Sequence, residues 1–279
     1  MRRDRGKQMA GGLTRTRRSL QGAAVLGTLL IGVRHVLPGE ASSGGAFDAF
    51  CPFGGIETLV PYVATGSTLK TTNLLNFSLL LGVLGVALLA GRAFCGWLCP
   101  LGAVQEWLAM GARRLTGEKR HIRGKQSPAR LPLTLPAAVD RPLRYAKYVI
   151  LAAIVALSVV AVYPPLHSLC PVRAMFGLRL NSALLWIVLG LFVLSSLLVE
   201  RFSCKYLCPL GAATAVFNKL APLRIVVDGE RCNRCGRCEV ECPMGVAAVH
   251  ANTNDPECIR CLECVETCAR QETMVLELG

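Results

Sequence analysis

Histidine is scarce in this chain: the four copies, His35, His121, His167 and His250, stand far apart, so no pair is available to ligate a haem and none is expected. No glycine-rich phosphate loop and no nucleophile triad can be read, which leaves hydrolysis and group transfer without residues to carry them. Acidic residues are also few, 18 against 31 Lys and Arg, for a formal charge of +13. That surplus stands beside 52% hydrophobic residues and a mean hydropathy of +0.44, so basic and apolar runs must be segregated along the chain. Anionic lipid then accounts for the charge, and nucleic acid need not be invoked.

Cysteine, by contrast, is abundant. Eight of the 14 copies fall in two runs, Cys232-x-x-Cys235-x-x-Cys238-x-x-x-Cys242-Pro243 and Cys258-x-x-Cys261-x-x-Cys264-x-x-x-Cys268. This spacing suits two [4Fe–4S] clusters, with three cysteines of each run wrapping one cluster and the fourth crossing to the other. One set is Cys232, Cys235, Cys238 and Cys268; the other is Cys258, Cys261, Cys264 and Cys242. Structural zinc needs only two Cys-x-x-Cys pairs and leaves the third cysteine of each run unused. A disulfide framework belongs to small secreted domains, not to the end of a long chain. The second run ends in Cys268-Ala269 instead of Cys-Pro, which alters the turn and not the ligand.

Four apolar stretches, about 20–37, 72–91, 144–163 and 183–200, are long and clean enough to cross a ~30 Å hydrocarbon core, which takes about 20 residues of helix. Tyr148–Val162 and Ala183–Val199 carry no charge, whereas a soluble amphipathic helix shows a polar stripe. Lys and Arg crowd the N-terminal arm (Arg2, Arg3, Arg5, Lys7, Arg15, Arg17, Arg18) and the loop 100–142, and are sparse in 38–71 and 164–182. The positive-inside rule then places both termini and the cysteine-rich tail in the cytoplasm of a bacterial inner-membrane, multi-pass protein. Arg17-Arg18 before an apolar run could pass for a twin-arginine signal, but no clear cleavage site follows and a basic flank suits a first helix. The expected architecture is therefore a basic arm (1–19), a membrane α-helical domain (20–221) of four transmembrane helices in two same-sense repeats, and a C-terminal α+β two-cluster ferredoxin domain (222–279). Within the last, Leu223–Asp228 and Met274–Leu278 read as strands, Val246–Asn254 as a hairpin, with helical turns after Cys238 and Cys264.

The repeat organises the other cysteines. Phe94-Cys95-Gly96-Trp97-Leu98-Cys99-Pro100-Leu101-Gly102-Ala103 returns as Ser203-Cys204-Lys205-Tyr206-Leu207-Cys208-Pro209-Leu210-Gly211-Ala212. A pseudo-two-fold axis between same-sense repeats would gather Cys95, Cys99, Cys204 and Cys208 into a candidate site for a further cluster, the alternative being buried packing thiols. Upstream of each motif stands another Cys-Pro, at Cys51 and Cys170. These two are a candidate outer redox pair, with a disulfide, plain thiols and cluster ligation all open.

The order of apolar runs, paired Cys-x-x-x-Cys-Pro motifs and C-terminal dicluster run resembles the NapH-type quinol dehydrogenase components of periplasmic nitrate reduction, the core of NosR-type regulators and MauN-type ferredoxins. The resemblance covers about residues 20–279; Cys95, Cys99, Cys204 and Cys208 match the paired motif, and the eight cysteines from Cys232 to Cys268 match the ferredoxin part. Cys51 and Cys170 depart from the NapH pattern, and no flavin domain precedes as in the NosR type. The resemblance implies a membrane-bound iron–sulfur electron-transfer protein working between the quinone pool and cluster-bearing partners, either other redox subunits or a soluble carrier. It also implies an oxidoreductase role as a quinol dehydrogenase subunit. The competing readings are a conduit of electrons to an outer disulfide or acceptor through Cys51 and Cys170, and an electron donor for metal-site assembly. No quinone motif is readable. His35 with Arg34, and His167, are candidate interfacial groups, and the basic segment 111–130 is a flexible loop or a docking site for an acidic redox protein.

Overall fold

A computed structural model of the chain describes residues 2–36, 59, 74–117, 132–133, 135–160, 170–177, 183–246, 255–268 and 273–278. Helices α1 (Arg2–Val36), α2 (Leu74–Ala90), α3 (Ala93–Trp97), α4 (Pro100–Thr116), α5 (Ala137–Leu143), α6 (Ala146–Val160), α7 (Pro171–Phe176) and α8 (Ala183–Leu198) lead to a π-helical turn (Ser203–Leu207) and α9 (Pro209–Phe217). Strand β1 (Leu223–Val227), helices α10 (Arg237–Val240) and α11 (Glu263–Thr267) and strand β2 (Met274–Leu278) complete the order.

Cys-Pro starts a helix at each described occurrence in the helical part. Cys99, Cys170 and Cys208 take the extended N-cap conformation, and the proline that follows occupies the first turn of α4, α7 and α9. Proline lacks the N–H that a first turn would leave unpaired, and its fixed φ is already helical. Helix α4 ends on Gly117, whose left-handed φ of 66° lets its N–H return to the Arg113 and Arg114 carbonyls. The repeats interlock: α4 packs on α8 and α1, and α9 packs on α6 and α2, so the helix after each motif lies against the apolar helix of the other repeat.

The transmembrane architecture requires correction. Among the described residues no helix is long and apolar enough to cross a membrane. Within the described residues the stretches 72–91, 144–163 and 183–200 give helices of 17, 15 and 16 residues. At ~1.5 Å per residue the longest of these rises about 26 Å, short of a ~30 Å hydrocarbon core. Two of the runs are trimmed by the corners that follow them: Gly91 and Arg92 close α2, and Val199 to Arg201 turn away from α8. Stretch 20–37 belongs to the 35-residue α1, a largely polar helix on which Arg17 and Gln21 are buried in protein contacts. With the spans goes the assignment of sides drawn from them.

Strands β1 and β2 pair antiparallel, Leu223 opposite Leu278 and Val227 opposite Met274. Ile225 and Met274 turn inward onto Met244, Val246, Ile259, Leu262 and Cys264, and Cys95 of α3 is part of the same core. The cysteine-rich tail therefore shares its interior with the helical part. Thr14 of α1 donates to Glu266, Arg144 donates to the Met244 carbonyl (2.9 Å), and Trp97 Nε1 donates to the Arg260 carbonyl (3.0 Å).

Candidate functional site

The two sets read from the cysteine runs each come together. Cys232, Cys235, Cys238 and Cys268 line one cavity with Asn233, Gly236 and Thr273. Cys242, Cys258, Cys261 and Cys264 line a second, walled by Ile225, Pro243, Met244, Val246, Ile259 and Leu262. The crossing of the fourth cysteine follows from α10 packing on α11, which brings the end of each run beside the start of the other.

The backbone around both cavities is built for an anion. Arg234 and Gly236 in the first, and Arg260 and Leu262 in the second, have φ of 49°, 73°, 47° and 62°. Positive φ recurring two residues apart is the turn conformation from which the anion-binding nests of iron–sulfur and phosphate sites are made. Three of these four are not glycine, so the conformation is held by its surroundings at some cost. Four thiols in a nest fit a cubane cluster. Burial pushes the Cys261 thiol up to about 12 against the opposing charge of Arg17. Burial and the neighbouring Cys261, Cys258 and Cys242 raise Cys264 likewise. Such thiols are protonated until a metal takes the proton's place.

The third set also converges. Cys95 and Cys204 are buried, while Cys99 and Cys208 are half-buried at the N-caps of α4 and α9. Burial and then the charges of Cys204, Cys95 and Cys208 raise the Cys99 thiol well above its ordinary value. Burial and then Cys204 and Cys95 push Cys208 up to about 12. Helix ends aim polar hydrogens at the set: Gly211 N–H donates to Cys208 Sγ (3.4 Å) and Gln105 Nε2 to Cys204 Sγ (3.4 Å). Among the described residues no three His, Cys, Asp or Glu stand close enough to hold one metal ion. A cubane, with four metals, spreads its thiolates wider than a mononuclear site.

The second and third sets meet at Gly96. A Cβ there would lie 2.6 Å from the Ile259 carbonyl and 3.6 Å from Cys261 Cα, so only glycine admits the two backbones. Asn218 ties the same junction, donating to the carbonyls of Asp255 (3.0 Å), Pro256 (3.2 Å) and Cys258 (2.7 Å).

Sequence reading missed the buried charge around this junction. Arg17 and Arg201 both pair with Glu106, and Gln21 Nε2 donates to its second oxygen (3.2 Å). Arg92 and Lys147 both pair with Glu257. Burial alone would raise the Glu106 carboxyl, yet Arg201 and Arg17 hold it below the usual carboxylate range, and Arg92 and Lys147 do the same for Glu257. The one available signal was the repeat itself, which sets Arg92 and Arg201 three residues before Cys95 and Cys204. Of the other candidates, Cys170 caps α7, half-buried. Cys51, His167, the hairpin and most of the basic segment lie outside the described residues, as does the His35 side chain.

A family model described as a 4Fe-4S binding domain matches residues 72–118 and 181–226, one match on each repeat. A second, described as a 4Fe-4S dicluster domain, matches residues 224–269. The chain belongs to the NapH/NosR-type 4Fe–4S ferredoxins. Ferredoxin-type protein NapH of Escherichia coli is 28% identical over 84% of this chain and 78% of its own length. YccM of Escherichia coli is 27% identical over 84% of this chain and 64% of its own length. Protein NirI of Paracoccus denitrificans is 34% identical over 65% of this chain, but that region is 25% of NirI. The chain thus spans less than two thirds of YccM and a quarter of NirI. No solved structure matches. Both family models describe iron–sulfur binding, and among these relatives YccM is named as a putative electron transport protein and NapH as a ferredoxin-type protein.

Proposed function

We propose that this ferredoxin is a membrane-associated carrier that exchanges electrons between the quinone pool and a partner redox protein, with a cluster at each of its three four-cysteine sets. The succession of the sets carries this reading. Cys232, Cys235, Cys238 and Cys268 lie toward solvent, with Cys235 exposed. The Cys242, Cys258, Cys261 and Cys264 set stands between, and the Cys95, Cys99, Cys204 and Cys208 set abuts it through Gly96. Bound at such a set, a cubane supplies a one-electron carrier. The chain's own residues do the rest: the thiolates ligate, the apolar wall from Ile225 to Leu262 excludes water from the middle set, and Trp97 and Asn218 hold the junction rigid. Several one-electron sites in one chain suit a two-electron partner such as a quinol.

Membrane association is supported by the apolar faces that α2 and α8 leave open. Leu81 is 68% exposed, Leu89 65%, Trp186 60% and Leu191 61%. Apolar surface on this scale marks contact with lipid or with another protein. We assign it to the acyl region of a membrane, with residues 222–279 as the ferredoxin unit beside it.

The experiment is anaerobic purification in detergent, iron and sulfide analysis, and low-temperature electron paramagnetic resonance after adding a menaquinol or ubiquinol analogue. About 12 irons per chain and signals that grow with quinol are expected. Clusters that respond to dithionite but exchange electrons with neither quinone pool, in either direction, would sink the quinone reading. Release from vesicles by an alkaline wash would sink the membrane assignment.

A further inference from the structure

The repeat places Arg92 and Arg201 at equivalent positions, and the fold crosses them. Arg92 Nη2 donates to the carbonyl of Cys204 (3.1 Å), and Arg201 Nη1 donates to the carbonyl of Cys95 (2.9 Å). Each guanidinium thus belongs to one repeat and grips the first cysteine of the other. Both residues are wholly buried, at 0% exposure. The glycine two residues past the second cysteine's proline makes room for each: a Cβ on Gly102 would stand 3.1 Å from Arg201 Nη1, and one on Gly211 would stand 2.9 Å from Arg92 Nη2.

Charge at this junction is out of balance. Four of the buried cations, Arg17, Arg92, Lys147 and Arg201, share two buried carboxylates, Glu106 and Glu257. Glu263 also reaches Arg17 at 3.3 Å, but its side chain is 28% exposed and meets water. The Nε atoms of Arg17, Arg92 and Arg201 are buried with no hydrogen-bond partner. Two surplus buried cations and orphaned guanidinium hydrogens are costly unless an anion accompanies them. Four thiolates around an oxidised cubane carry a net formal charge of about −2, and one-electron reduction, with no bond made or broken, takes it to about −3.

Resting on the reading that Cys95, Cys99, Cys204 and Cys208 hold a cluster, we infer that Arg92 and Arg201 are positioning residues that set its potential. Their fixed charge favours the added electron, so this cluster accepts electrons more readily than it would among neutral neighbours. Glu106, which offsets Arg201, works in the opposite sense.

The test is a mediator-poised redox titration of the full chain, reconstituted with iron and sulfide, followed by electron paramagnetic resonance. Arg201→Gln should change the oxidised-to-reduced ratio of this cluster at a given ambient potential at least tenfold toward oxidised, about 59 mV for one electron. Glu106→Gln should move it the opposite way, and Arg201→Lys should hold it near the parent value. If Arg201→Gln does not fold, Glu106→Gln and Arg201→Lys carry the same test. An Arg201→Gln or Glu106→Gln variant that leaves the midpoint unmoved, or the two moving it in the same direction, while iron content is intact, overturns the inference. Equal iron in the parent and in a Cys95→Ser/Cys204→Ser double variant would instead overturn the underlying cluster reading, a separate and recognisable outcome.

Discussion

The cysteine-rich tail and the four-cysteine corner of the helical repeats gather thiols by opposite means. In the tail, three cysteines of each set sit within seven residues, and left-handed turns at Arg234, Gly236, Arg260 and Leu262 bend the backbone around them. At the corner, no local run suffices: two cysteines come from each repeat, more than 100 residues apart, and they meet because α4 lies on α8 while α9 lies on α2. Short loops solve the ligand problem with backbone strain and hydrogen bonds. The repeat solves it with tertiary packing, and so depends on the buried salt bridges that lock the repeats together.

The largest break in this comparison should come from the tail. On the proposed reading Cys261→Ser removes a ligand from the middle set, and a small domain whose core surrounds such a site derives much of its folding energy from the bound cluster. Loss of about four irons per chain and disappearance of the tail's cooperative melt are expected. Retained iron with an unchanged melt would show that the middle set is not a ligand set.

Next in size is the charge that joins the two regions. Glu257→Ala leaves Arg92 and Lys147 buried against each other, and a broken buried pair costs about 3–5 kcal/mol. Denaturant titration should register that loss, whereas an exposed pair such as Arg231 with Asp228 should contribute at most ~1 kcal/mol. Gly96→Val tests the backbone contact itself. With its Cβ 2.6 Å from the Ile259 carbonyl, overpacking should cost about 1–3 kcal/mol and open the junction, read as a lower denaturant midpoint of the full chain.

The smallest effect should be on the acid limb of stability. Glu106 and Glu257 both titrate below the usual carboxylate range in the folded chain. Their contribution is fully present above the unfolded value near ~4.3 and is lost as pH falls through the depressed folded values. Thermal midpoints measured from pH 6 downward should therefore fall, and Glu106→Gln should flatten part of that slope. A slope that Glu106→Gln leaves untouched would remove Glu106 from the acid limb.

Reading the chain brought out the cysteine sets and the strands because each is written locally. The strands at Leu223–Val227 and Met274–Leu278 are short runs rich in Leu, Ile and Val, each turning one residue, Ile225 and Met274, into the core, and the helical turns lie at Cys238 and Cys264. The apolar runs were legible too, but not where their helices stop. Hydropathy registers Gly91 and Val199 as continuing the run, although the chain turns at those corners to bring Arg92 and Arg201 inside. A buried arginine looks in sequence like any loop cation, since its carboxylate partner stands far along the chain, 165 residues away for Arg92 and Glu257.

The amino-acid sequence by itself determined only what short segments carry: the spacing of the cysteines, the repeat that matches Cys95 and Cys99 with Cys204 and Cys208, and the Cys-Pro helix starts. Spacing of ligands and the conformational limits of proline are properties of short segments, so they survive without knowledge of the fold. Tertiary structure decided the rest. It decided that the middle set touches the repeat corner through Gly96, that Arg92 and Arg201 cross between repeats, and that four buried cations share two carboxylates. Those are contacts between distant residues, and the low dielectric that gives them their strength exists only once the chain has folded around them.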